Sequence, residues 1–151
     1  MLRTRTCLGG MVTAPHHLAA EAGASVLREG GNAIEAMIAS AAAIAVVYPH
    51  MNGIGGDGFW LVSRSGEPPV GIQACGPAAG MADRTFYMSH GDTSIPTRGP
   101  RAALTVAGAV GGWSEAKRLA EATGGGVPLS RLLEPAIHYA LEGFPVSSSQ
   151  A

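Results

Sequence analysis

The side chains able to do chemistry are few and scattered. Five histidines, His16, His17, His50, His90 and His138, are spread along the chain. No pair has the i, i+4 spacing that sets two imidazoles on one helix face for zinc, so no metal site is expected. His16 and His17 would point to different faces of a helix, and surface or capping roles are the expected ones. Cys7 and Cys75 fit neither a zinc pattern nor a disulfide framework, and Cys75 follows an apolar strand with no evident base to activate its thiol. Serine, histidine and aspartate all occur, but a Gly-x-Ser-x-Gly elbow does not. The run Gly53-Ile54-Gly55-Gly56-Asp57-Gly58 could expose backbone N–H groups to an anion. It lacks Gly-Lys-Ser/Thr, however, and leads into a strand rather than a helix, which argues against a nucleotide. Close backbone approach, to a neighbouring element or to a bound substrate, is the better reading. No complete catalytic constellation is present, and the nucleophile is expected outside this chain.

The elements that must position these residues follow from punctuation and periodicity. Thr13-Ala14-Pro15 predicts a first helix, with Thr13 or Ala14 near the cap and Pro15 in the first turn, where its missing N–H costs nothing. Leu18, Ala22, Ser25 and Val26 make its stripe, and Gly30-Gly31 stops it. Asn32 caps a second helix, Ala33 to about Val47, apolar on nearly every face and so expected between layers. Tyr48-Pro49 ends that helix. Phe59 to Ser63 reads as a strand, Ser65 to Pro69 as a turn, and Val70 to Ala74 as the hairpin partner. Gly76 to Pro100 predicts loop, with a short helix around Arg84 to Met88, and Leu104-Thr105-Val106 a short extended piece. Gly111-Gly112-Trp113 leads into a helix to about Ala122; a last helix runs from near Leu129 to Glu142, with Gly143 at its C-terminus. Trp60 and Trp113 are expected to pack rather than to act as stacking platforms. With no repeat and no linker, residues 1–151 read as a single segment.

Composition narrows the function classes. The chain is 46% hydrophobic with a net charge of −1, which excludes intrinsic disorder and leaves no basic surface for nucleic acid. Aromatics at 5% imply a core of Ala, Val, Ile and Leu with backbones packed close. Charged residues are only 14%, against roughly 25% in ordinary soluble domains. Such poverty suggests an unusually buried chain, or a piece whose faces are covered by something outside it. The basic start has no apolar stretch behind it, so a signal peptide is not expected. Ala36 to Tyr48, the longest apolar stretch, falls short of the ~20 residues that cross a bilayer. The cytoplasm is therefore the expected location, with no membrane partner. A non-catalytic interaction module, folded and monodisperse by itself, is the rival reading from another class.

The order of segments carries more than any single residue. Gly10-Met11-Val12-Thr13-Ala14, Leu27 to Ala36 (LREGGNAIEA), Val46-Val47-Tyr48-Pro49 and Gly53 to Phe59 strongly resemble the γ-glutamyltranspeptidase family. So do Leu132-Leu133-Glu134-Pro135-Ala136-Ile137 and Glu142-Gly143-Phe144-Pro145-Val146. The resemblance implies an α/β fold, part of the αββα sandwich of the N-terminal-nucleophile hydrolases, here the N-terminal part of a large subunit. It further implies a self-cleaving precursor, whose small subunit begins with a threonine that attacks an amide or γ-glutamyl carbonyl with its own α-amine as base. Partners would then be that small subunit, the remainder of the large subunit and a small amide or γ-glutamyl substrate; no cofactor is implied. The family's Arg-Glu-x-Ala-Pro segment, whose arginine clamps the substrate α-carboxylate, aligns with Gln73-Ala74-Cys75-Gly76-Pro77. Gln73 thus replaces the arginine, giving a neutral hydrogen bond of roughly half the strength. This favours a small amide, such as oxamate in the related oxamate amidohydrolases, or an acylase substrate. Substrate contact is expected from Gln73, Gly55 and Gly56; a local shift in alignment would move the carboxylate clamp to Arg84 or Arg101.

Overall fold

Asn32 shows how local chemistry sets an element. Its side chain accepts from the N–H groups of Ile34 and Glu35, while Glu35 reaches back to the Asn32 N–H, a reciprocal capping box. Helix α2 accordingly runs Ala33–Val47, the predicted span. A computed structural model describes residues 6–102, 105–146, 148 and 150. The chain divides into two compact units, one of Met1–Gly53 with Trp113–Ala151 and one of Ile54–Gly112.

In the first unit, α1 (His17–Arg28) packs on α2, and α2 on α5 (Leu129–Glu142). The approach of α1 to α2 is close because the facing residues are small. A Cβ on Gly23 would lie 2.3 Å from the Ser40 hydroxyl and 2.7 Å from the Ala36 carbonyl. Ser40 itself donates to the Ala19 carbonyl at 2.8 Å. Ala19, Ala22, Ala43 and Val47 form the buried centre, with Leu18, Ile44, Tyr139 and Phe144 around it. Close-packed backbones and an aliphatic core are what the composition implied. Helix α1 starts later than predicted. His16, not Thr13 or Ala14, is its cap, the Nδ1 accepting from Leu18 N–H at 3.3 Å, and Pro15 lies outside the helix. The ring nitrogen does here what a serine or aspartate oxygen does elsewhere.

The apolar character of α2 concealed one charged residue. Glu35 is fully buried. Its Oε2 accepts from Asn32 N–H at 3.0 Å, and its Oε1 accepts from Val127 N–H at 2.8 Å and from Lys117 Nζ at 3.4 Å. Asn32 Nδ2 donates to the Ala120 carbonyl at 3.1 Å. A buried carboxylate with three donors is tolerable where an unpaired one is not. These bonds join the start of α2 to the end of α4 (Ala109–Ala122) and to the entry of α5. Arg131 on α5 pairs with Glu29 beyond the end of α1. Helix α5 ends at Gly143, which takes φ +86, as predicted for a C-terminal glycine.

The second unit is built on an antiparallel hairpin of β1 (Gly58–Val62) and β2 (Val70–Ala74). The hairpin and the β2 span are as predicted; β1 begins one residue earlier and stops short of Ser63. Beyond β2, Gly76 N–H donates to the Val106 carbonyl and Val106 N–H to the Pro77 carbonyl, both at 3.0 Å. Thr105 makes a single bridge with Ala78; Leu104, predicted to share that extended piece, lies outside the described residues. Helix α3 (Arg84–Ser89) sits in the long loop, one residue longer than predicted, capped by Asp83. Gly111 and Gly112 lie inside α4 rather than before it, a correction with a steric cause. A Cβ on Gly112 would stand 2.5 Å from the Ala74 Cβ and 3.3 Å from Trp60 Nε1, so glycine is needed for contact rather than for a turn. Trp60 is half-buried there, in the packing role expected of it.

Candidate functional site

Alternation along the hairpin sorts its residues onto two faces. Phe59 pairs with Gln73 and Leu61 with Gly71, so these four share one face, and all four are exposed. The other face, with Trp60, Ile72 and Ala74, is half-buried or buried. Phe59 is 71% and Leu61 79% exposed, an apolar strip too large to be left wet without reason. Gln73 therefore stands on an open face, bordered by an aromatic ring and a leucine.

The Gln73 amide is held from one side. Its Nε2 donates to Cys75 Sγ at 3.1 Å. Residues two apart on an extended chain share a face, and that spacing was the available sign in the sequence that the thiol would meet the amide. With one N–H engaged, Gln73 keeps one N–H and its carbonyl oxygen for a ligand.

The glycine turn lies at the same end of the hairpin, since Gly58 pairs with Ala74. The Gly56 carbonyl accepts from Gly108 N–H and Ala109 N–H, both at 3.0 Å. Thr105 Oγ1 donates to Asp57 at 3.0 Å to Oδ1 and 3.3 Å to Oδ2. Asp57 was not singled out in the sequence, where it is one polar residue in a glycine run. Gly55 and Gly56 are exposed, with nothing within 4 Å of where a Cβ would stand and no positive φ. Neither packing within this chain nor backbone conformation demands glycine there. At Gly76 and Gly108, by contrast, a Cβ would lie 2.2 Å and 2.3 Å from a carbonyl oxygen.

The two alternative arginines are elsewhere. Arg101 is bound to Asp92 through Nε at 2.6 Å and Nη2 at 3.2 Å. That pairing raises its pKa and occupies the fork a carboxylate ligand would need. Arg84 lines a pocket of about 600 Å³ formed by α3 and the following loop, with Tyr87, Met88, Asp92 and Ile95. Neither arginine is on the hairpin. Of the histidines, His16 is buried as a helix cap, whereas His17, His50, His90 and His138 are exposed. Cys7 and Cys75 are free thiols.

Residues 19–151 match the gamma-glutamyltranspeptidase family. This chain belongs to that family. It is 57% identical over 143 residues to the oxamate amidohydrolase proenzyme of Klebsiella pneumoniae, covering 94% of this chain and 27% of that protein. A glutathione hydrolase-like proenzyme of Bacillus subtilis is 42% identical over 141 residues, covering 93% and 26%. The crystal structure of Helicobacter pylori gamma-glutamyltranspeptidase superimposes with a TM-score of 0.85 at 31% identity, over 98% of this chain and 42% of that one. The mixed helix-and-sheet architecture is therefore the gamma-glutamyltranspeptidase fold, as the motif order implied. The chain spans about a quarter of the length of these curated relatives. It holds a helical unit whose buried carboxylate is fully bonded and a hairpin unit whose Phe59–Leu61 face is open.

Proposed function

We propose that this chain is the N-terminal part of the large subunit of a self-processing amidohydrolase, and that Gln73 orients a small amide substrate. A threonine at the start of the small subunit, outside this chain, is the nucleophile in this reading. It attacks the amide carbonyl, expels the amine, and water releases the acyl group. The observation that carries the substrate preference is the Gln73 amide on the open hairpin face, tethered by Cys75. A carboxylate could take only one neutral N–H from it and would face the Gln73 carbonyl oxygen. A carboxamide can accept that N–H and donate to that oxygen, so in this reading Gln73 faces the carboxamide of oxamate and its carboxylate is met by another group. The 57% identity to an oxamate amidohydrolase proenzyme supports the same preference. Gly55 and Gly56, with open space beside them, border the pocket in this reading, and the Phe59–Leu61 strip seats the rest of the protein.

The test is turnover by the full-length protein of oxamate and of γ-glutamyl-p-nitroanilide. Preference for oxamate is expected. Strong turnover of the γ-glutamyl compound with none of oxamate would overturn the assignment and make the protein a γ-glutamyltransferase or glutathione hydrolase.

A further inference from the structure

The cleft between α3 and the loop after it has walls that the chain itself pins in place. The Tyr87 hydroxyl donates to the Arg101 carbonyl at 3.0 Å. The Arg101 guanidinium in turn holds Asp92, through Nε at 2.6 Å and Nη2 at 3.2 Å. At the corner, Gly91 N–H donates to the Met88 carbonyl and Asp92 N–H to the Tyr87 carbonyl, both at 3.0 Å. The volume enclosed, about 600 Å³, is in the range of small-molecule sites.

The lining divides into bonding capacity already used and capacity still open. Tyr87 O–H and both Asp92 oxygens are used, by Arg101. Asp83 Oδ1 accepts from Phe86 N–H at 2.8 Å, which leaves its other oxygen open. Arg84, by contrast, makes no hydrogen bond or ion pair among the described residues, so its whole guanidinium fork is open. The Thr93 and Ser94 hydroxyls are open as well. Beside them stand two apolar side chains, Met88 at 60% and Ile95 at 49% exposure.

We propose that this cleft binds a small molecule that carries one carboxylate on an apolar body. The carboxylate sits on the Arg84 fork, which matches it with two parallel N–H donors. The body covers Met88 and Ile95, and the flexible thioether of Met88 adapts to its shape. The charges set the limit of one. Arg101 neutralises Asp92, but Asp83 stays beside Arg84 and would repel a second anionic group. A cation has less to hold it, since Asp92 is taken and Asp83 keeps a single oxygen. The site lies within the unit Ile54–Gly112 and makes no use of Gln73, so it stands whatever amide the protein hydrolyses.

The test titrates the full-length protein, its methionine methyls isotope-labelled, with three compounds that share one body: phenylpropionate, phenylpropanamide and phenylpropylamine. Met88→Leu, a swap of similar volume, assigns the Met88 methyl signal. Phenylpropionate should move that signal to saturation by the ring current of its phenyl group. The amide and the amine should bind about threefold or more weakly, and Arg84→Gln should weaken phenylpropionate by a similar factor while leaving the amide unchanged. Added salt should weaken the carboxylate alone. Oxamate, a carboxylate with no apolar body, should leave the signal in place. A Met88 methyl that phenylpropionate does not move would overturn the proposal. So would equal or tighter binding of the amide or the amine, or phenylpropionate binding indifferent to Arg84→Gln. Oxamate moving the signal at the same concentration as phenylpropionate would overturn the assigned ligand class. Arg84 is exposed and unbonded, so the variant should fold; should it not, the ranking of the three compounds on the unmodified protein decides.

Discussion

The helical unit and the hairpin unit treat exposed bonding capacity in opposite ways. In the first, even a charged residue is sealed inside, because Glu35 finds donors on three separate stretches of chain. In the second, an aromatic ring, a leucine and an amide lie uncovered on one face of a two-stranded sheet. Glycine divides within the hairpin unit itself: Gly76 is small because the Val106 backbone crowds it, whereas Gly55 and Gly56 are small beside empty space. The lesson is that the two kinds of residue economy mark two roles, one holding the fold and one leaving room for something else.

Four substitutions would break or sharpen that contrast. The largest effect is expected from Glu35→Ala, which strands the Val127 N–H in a buried site and leaves the Lys117 ammonium with Glu121, 3.0 Å away, as its acid partner. It should cost about 2–4 kcal/mol, read as a shift in denaturant midpoint. A cost under about 1 kcal/mol would mean the buried carboxylate is not what ties the helical unit together. Next is Gly76→Ala, whose Cβ would stand 2.2 Å from the Val106 carbonyl oxygen. It should lower stability by about 1–3 kcal/mol, since backbone must move. Gln73→Arg should leave stability nearly unchanged and shift preference toward γ-glutamyl-p-nitroanilide by about tenfold, roughly 1.4 kcal/mol. Ratios of kcat/KM for the two substrates measure it, and an unchanged ratio would remove Gln73 from substrate contact. The smallest stability change belongs to Gly56→Ala, within about ±0.5 kcal/mol, yet KM should rise. Loss of stability there would place Gly56 with the packed glycines instead.

Much of the fold was legible because several elements carry their own punctuation. Asn32 at the head of α2, Gly143 after α5 and the turn before β2 each mark a boundary by local chemistry, and those boundaries held. Where the physics was not local, reading failed. Glu35 sits in an apolar helix and its partners Lys117 and Val127 are 82 and 92 residues away, so no window of sequence reveals that it is buried. Gly111-Gly112 reads as the lead into a helix rather than as part of it until the approach of Ala74 is known. A capping role was among those expected of the histidines, but Pro15 drew the start of α1 forward to Thr13 or Ala14 and away from His16. For the hairpin, Phe59, Trp60, Leu61 and Val62 are all apolar, so alternation could not say which face would be open. Of the candidate site, Gln73 and the glycine turn were proposed from motif order, whereas the Cys75 and Asp57 contacts came from geometry.

Glu35 also sets an order of events on the ribosome. Its capping partner Asn32 emerges with it, but Val127 is made 92 residues later. At ordinary synthesis rates that is a wait of roughly 5–20 s. Throughout it, α2 carries a charge that it cannot yet bury. The bonds that seal this carboxylate are therefore complete only once the end of α4 and the entry of α5 have been made.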